Sequence, residues 1–211
     1  MNKLSCEQFK EMLIERHGRT VYEKLKAATV GIAGLGGLGS NVAVALVRAG
    51  IGKLVIADFD AVEPSNLNRQ NYFLEQVSSD KVKATIENLK KINPYAEIEG
   101  VSVKLEPENI PVIFKTCPIV AECFDKAGSK QMLIETILGS MEKTIVVAAS
   151  GLAGYGKSNE IKTKRISERL IMVGDGENGI EKGLSLMACR VIIAAGHQAN
   201  AIVELLIEGT L

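Results

Sequence analysis

At 211 residues, with 46% hydrophobic and 24% charged side chains, the chain is long enough for one compact domain with a proper core. Lysine plus arginine equal aspartate plus glutamate at 25 each, which excludes a global charge aimed at nucleic acid or a membrane surface. No charged leader precedes an apolar core, and the apolar stretches read as too short or too interrupted to span a bilayer, so no membrane association and a cytoplasmic location are expected.

Residues 1–27 read as helix with a break at His17-Gly18, and Ser5 with Gln8 matches a capping box. Its interrupted apolar face (Phe9, Met12, Leu13, Val21, Leu25, Ala27) suits packing outside the first strand or against a partner subunit. From Ala28 a short run of β-formers breaks at glycines spaced G-x-G-x-x-G (Gly34, Gly36, Gly39) and continues through Leu38 and Ser40 as a helix closing at Gly50. Strand, tight turn and helix leave bare amides where a phosphate is held; Gly36 and Gly37 let the backbone approach an anion, and Gly39 lets the helix lie close against the sheet. The strand Lys53 to Asp58 then ends in an acid placed as a ribose-binding carboxylate would be.

Phe59 to Tyr72 is polar, contains Pro64, and reads as a loop over a crevice. Ser79 to Ile92 is an amphipathic helix with Val82, Ile86, Leu89 and Ile92 toward the sheet, stopped by Asn93-Pro94. Strands are expected at 97–105, 118–124 and 144–149, with helices at 107–115 and 129–138 between them. Beyond the segment 151–156, residues 160–173 look like one or two antiparallel strands and 175–179 like a loop. Leu186 to Glu208 is a long apolar helix whose central Val191 to Gly196 favours close packing. Alternation of strands and helices argues for a doubly wound, mostly parallel, Rossmann-like α/β sheet with helices on both faces and antiparallel strands added near the C-terminus. No internal repeat or low-complexity tract interrupts it.

In such a sheet ligands lie beyond the carboxyl ends of the strands, so the glycine loop, Asp58 and Asp125 share one rim. Asp125 is also a plain helix N-cap candidate. A dinucleotide needs the glycine turn and a ribose acid. An enzyme attacking an ATP phosphate also needs cations and a magnesium acid, and Arg69, Lys81 and Asp125 supply those types. Cys6, Cys117, Cys123 and Cys189 are scattered without a C-x-x-C pair, suggesting neither a disulfide framework nor zinc, and His17 and His197 read as surface or packing residues.

The glycine run 34–40, Asp58-Phe59-Asp60, Ser65-Asn66-Leu67-Asn68-Arg69-Gln70, Lys81 and Phe124-Asp125 together resemble the ThiF/MoeB adenylyltransferases, bacterial relatives of the ubiquitin-activating enzymes. The likeness runs from about Leu25 to the last helix, and the run 65–70 behind an Asp-x-Asp is its most specific part. Length and the segment 149–156 are most similar to the short ThiF group, which acts on the sulfur carrier ThiS in thiamine biosynthesis. The resemblance implies one ATP-binding adenylation domain over 1–211, with an N-terminal helical segment 1–27, a core 28–150, and an extension with the last helix at 151–211. It implies ATP and Mg2+ as the reaction's nucleotide and metal, and a substrate that is a small ubiquitin-like carrier ending in Gly-Gly. Gly34, Gly36, Gly37, Leu38 and Gly39 would cradle phosphate and Asp58 and Asp60 would bind nucleotide, with Asp58 on the ribose. Asn66, Arg69 and Gln70 would line the triphosphate, Lys81 would neutralise developing charge, and Asp125 would hold magnesium.

Departures from the pattern are Lys126, where asparagine is common, Lys130, where longer members have arginine, and Cys189, where proline is more usual. A homodimer follows from the likeness, with Arg16 as the candidate for reaching a neighbour's site. No cysteine follows the fifth strand where a catalytic one is expected, and Cys189 reads as a packing residue, so a separate protein would donate sulfur. The alternatives are a nicotinamide-dependent oxidoreductase on the same fold, an activator for a molybdopterin-type or other carrier, and a non-catalytic subunit.

Overall fold

Short apolar runs that bury both faces build the centre of the molecule. The computed structural model describes residues 4–179 and 183–209, so residues 1–3 of the N-terminal helical stretch lie outside the described residues. Strands β1 (Thr29–Ala33), β2 (Lys53–Asp58), β3 (Glu97–Ser102), β4 (Ile119–Glu122), β5 (Ile145–Ala149), β6 (Lys162–Ser167) and β7 (Leu170–Gly174) form one sheet in the order β3-β2-β1-β4-β5-β7-β6. All pairings are parallel except β6 with β7. The antiparallel extension is therefore β6 alone. β7 runs parallel to β5, because the chain passes outward first and the tight 168–169 turn folds β7 back into the gap.

Period-two alternation sends each strand into two cores. Val30, Ile32, Leu54, Ile56, Ala121 and Val147 face the layer holding α3 (Gly37–Ala49), α4 (Lys81–Ile92) and α7 (Ala188–Glu208). Ala33, Val55, Ala57, Val120, Val146 and Ala148 face α5 (Ile110–Ile113), Phe114 and α6 (Ala127–Ser140). Leu46, Leu54 and Ile56 are fully buried, each stabilising the fold by about 2 kcal/mol relative to exposure. The N-terminal helices, α1 (Cys6–His17) and α2 (Arg19–Ala27), break at Gly18 (φ 82°), and the Ser5–Gln8 capping box is formed at 3.2 and 2.8 Å. Asp80 caps α4 through the Lys83 amide, one residue inside the boundary read from sequence.

Two expectations for the last helix are corrected. By length and mean hydropathy α7 passes as a membrane span, contrary to the sequence reading. Its apolarity serves the core: Val191, Ala194, Ala195, Ala201, Ile202 and Leu205 are buried, with polar Arg190 and Gln198 among them. Close packing belongs to those residues and not to Gly196, which is exposed and would meet nothing within 4 Å if given a Cβ.

Candidate nucleotide site

Strand order reverses between β1 and β4, the point where an open parallel sheet leaves a crevice at its carboxyl rim. β1 enters that rim and turns at Gly34, whose φ of 91° suits glycine and whose amide donates to the Ala57 carbonyl at 2.8 Å. A Cβ on Gly39 would lie 1.8 Å from the Gly34 carbonyl oxygen and 3.3 Å from Cys123 Cβ, so the first turn of α3 sits hard against the loop and the end of β4. Gly36 is the N-cap of α3 and provides no side-chain bond to the helix, so first-turn amides carry no side-chain cap. Leu38, expected to cradle phosphate, buries its side chain in the core; only its main chain belongs to the turn.

Asp58 braces this rim. Its Oδ2 accepts the Leu35 amide at 2.6 Å, and its Oδ1 accepts the amides of Phe59 and Asp60 at 2.7 and 2.8 Å. The side chain thus ties the exit of β1 to the exit of β2. A carboxylate has about four lone-pair sites, so room for a hydroxyl donor remains.

The loop after β2 folds down onto the glycine turn through residues that the motif reading passed over. Ser40 Oγ donates to the Gly36 carbonyl at 2.7 Å and accepts the Asn71 amide at 3.0 Å. Asn41 Nδ2 donates to the carbonyls of Gly37 and Arg69 at 2.6 and 3.1 Å, and Tyr72 Oη donates to the Leu35 carbonyl at 2.8 Å. Burial pushes the Tyr72 hydroxyl pKa up. Two polar residues opening an otherwise apolar helix were the available signal.

This docking brings Asn66, Arg69 and Gln70 to the turn. Asn66 accepts the Glu63 amide at 3.1 Å. Arg69 lays its stem 3.5 Å from where a Gly37 Cβ would stand and donates to the Ser65 carbonyl and Asn68 Oδ1 at 3.1 and 2.8 Å. Gln70 is 8% exposed, and its Oε1 is buried without a partner among the described residues. Its Nε2 stands 3.8 Å from a Gly36 Cβ position. Lys81 is buried at the start of α4 and donates to Asp60 Oδ2 at 2.9 Å, so Asp60 spends an oxygen holding this cation.

Across the crevice Asp125 follows β4 and is exposed. It is not a helix cap: Lys126 occupies the N-cap of α6 and gives no side-chain cap bond. Among the described residues no group of three or more histidine, cysteine, aspartate or glutamate side chains could form a metal cage. Cys189 is exposed on the first turn of α7, which corrects the packing role expected for it, because its neighbour Arg190 takes the inward position. His17 is exposed, and His197 Nδ1 pairs with Thr163 Oγ1 at 3.0 Å, as surface and packing residues do.

Arg190 is 2% exposed and carries a buried ion pair with Asp175 while donating to the Gly156 and Lys157 carbonyls at 2.7 and 3.2 Å. It thereby pins the 151–157 loop to α7. Burial pushes the Asp175 carboxyl up, but the Asn178 and Glu177 amides, the Asn178 side chain and Arg190 outweigh it and hold the pKa at about 2. The folded value lies below the ordinary one, so this stability is present above about pH 4 and lost as pH falls through about 2. Denaturation midpoints measured from pH 5 to pH 2 are expected to show Asp175→Asn insensitive to a loss, on the order of 2 kcal/mol, that the parent suffers.

The ThiF family profile matches residues 9–207. The chain is 36% identical over 161 residues to the adenylyltransferase and sulfurtransferase uba4 of Aspergillus fumigatus, across 73% of this chain and 32% of that protein. It is 38% identical over 112 residues to the molybdopterin-synthase adenylyltransferase of Haemophilus influenzae, across 53% and 46% of the two chains. The chain thus spans about a third of the length of the fungal relatives it matches. Its fold is similar to that of E. coli tRNA N6-threonylcarbamoyladenosine dehydratase, TcdA, crystallised with ATP, with a TM-score of 0.87 at 18% identity over 99% of this chain and 98% of that one.

Proposed function

The chain belongs to the ThiF family, and from that premise we propose that it activates the C-terminal glycine carboxylate of a small ubiquitin-like sulfur carrier by adenylylation with ATP. The carrier's carboxylate attacks the α-phosphorus, the bond to the bridging oxygen breaks, pyrophosphate leaves, and an acyl-adenylate remains. The nucleophile is already ionised at neutral pH, so no general base is needed. Catalysis is then alignment and charge stabilisation. The glycine turn offers uncapped amides, Asp58 keeps a free lone pair for ribose, Arg69 supplies positive charge beside the turn, and Lys81 supplies it through its pairing with Asp60.

The observation that carries this reading is a bare glycine turn flanked by donors, with the Arg69 stem 3.5 Å from a Gly37 Cβ position and Gln70 Nε2 3.8 Å from a Gly36 Cβ position. A nicotinamide-dependent oxidoreductase has no use for those cations and is set aside by the family. One exposed carboxylate suits magnesium, which takes one or two protein carboxylates and the substrate's phosphates, so Asp125 is the residue proposed to hold it. When bound, the ion neutralises phosphate charge.

For the carrier we favour a ThiS-type protein, on the likeness of residues 149–156. The likeness to a molybdopterin-synthase adenylyltransferase supports a second reading, a molybdopterin-type carrier. The proposal includes a second copy of the chain, with Arg16, exposed in the last turn of α1, reaching toward its site. It also includes a separate sulfur donor, with the whole reaction in the cytoplasm.

Exchange of labelled pyrophosphate into ATP, measured with each carrier and with none, tests the reading. Exchange that depends on an intact Gly-Gly tail is expected, and the carrier giving the faster exchange identifies the substrate. Absence of exchange with every tailed carrier would overturn it.

A further inference from the structure

β4 and β5 stop pairing at Ala121 and Val147, short of the crevice, and a set of side chains takes over where the ladder ends. Glu122, 0% exposed, accepts the Phe124 amide at 2.7 Å through Oε1. Lys130, one turn into α6, donates to both Glu122 oxygens at 3.2 and 2.9 Å and to the Ala149 carbonyl at 3.0 Å. Gln198 of α7, also 0% exposed, donates to the carbonyls of Glu122 and Val147, each at 3.0 Å. Four elements therefore meet around a buried carboxylate and its half-buried lysine. Asp125 has no side-chain hydrogen bond of its own among the described residues, so its position is inherited from the turn that Glu122 holds.

We propose that Glu122 and Lys130 are positioning residues that set the exit of β4 against the exit of β5, and so place Asp125 for the metal of the bound nucleotide. This rests on the reading of Asp125 given above. The pair acts through the Phe124 amide and the Ala149 carbonyl. Hydrogen-bonded supports behind a metal ligand commonly govern about tenfold or more of metal affinity. Lysine reaches the carboxylate with a point charge, and arginine, with a planar fork, can span Glu122 and Ala149 as well.

Calorimetric titration of the full chain with ATP, in EDTA and in magnesium, tests the assignment without needing turnover. Magnesium is expected to tighten ATP binding in the parent, and Glu122→Gln/Lys130→Met to lose about tenfold of that gain while binding in EDTA changes less than about twofold. Lys130→Arg is expected to keep the gain. Adding Lys130→Met to Asp125→Asn is expected to cost less than about twofold more, since both act on one ligand. Lys130→Met alone strands a buried carboxylate, so the neutral pair and the arginine variant carry the result if it does not fold. No magnesium gain in the parent, a gain retained by the double variant, an equal loss in EDTA, or independent effects of Lys130 and Asp125 would each overturn the proposal. Carrier-dependent pyrophosphate exchange is read alongside: its absence with the expected titrations sinks the activation reading and leaves the positioning role standing.

Discussion

Replacing Lys81 with methionine is expected to slow carrier-dependent pyrophosphate exchange by about 10²- to 10³-fold while the chain stays folded. The ammonium is buried at the first position of α4, with Asp60 as its hydrogen-bond partner among the described residues, so its field is little screened by water. Methionine keeps most of the stem's volume, and the Asp80 cap at the Lys83 amide is untouched. Asp60 is left with a side chain 51% exposed, where water can replace the lost partner. The loss is expected in kcat more than in the KM for ATP, because charge on the phosphates grows as pyrophosphate departs. Arg69→Ala is expected to cost less, since that residue is half-buried and its guanidinium is already shared with Ser65 and Asn68. A loss under tenfold for Lys81→Met, with the melting curve unchanged, would remove the lysine from the reaction.

Asp58→Ala is expected to destabilise the fold by about 3 kcal/mol and to abolish ATP binding. Three amide donors, on Leu35, Phe59 and Asp60, lose their acceptor together, and the first is buried. The glycine turn then loses its tie to β2. Asp58→Asn keeps one acceptor oxygen and is expected to fall between the two. Urea denaturation followed by circular dichroism, with calorimetric titration of ATP on folded samples, separates the two effects. A midpoint unchanged by the alanine would show that the turn is held by other bonds.

How much of this was legible beforehand depended on whether the information was local. The turn at Gly34, the helix that starts at Gly37 and the stop at Asn93-Pro94 are dictated by neighbouring residues, and the periods of two and 3.6 placed the strands and helices in order. β7 running parallel to β5 was not legible, because pairing depends on where the chain returns from. The packing role expected of Cys189 fails for a related reason: adjacent helical positions differ by about 100° in direction, and only the neighbours decide which turns inward. Asp58 was read as a ligand for ribose, and its three amide bonds belong equally to the scaffold. Lys130 was noticed as a departure, but Glu122, eight residues earlier, carried no local pattern to mark it as its partner.

The outer strands end the sheet in opposite ways. On one side β3 shows Glu97 and Glu99 with Lys53 between them at 2.8 and 2.9 Å, and on the other β6 shows Lys162 and Lys164 to solvent. Charged borders of this kind make it costly for a stray strand to add itself to either side, because recruitment would have to dehydrate them. A strand that adds itself to either border would have to match that charge.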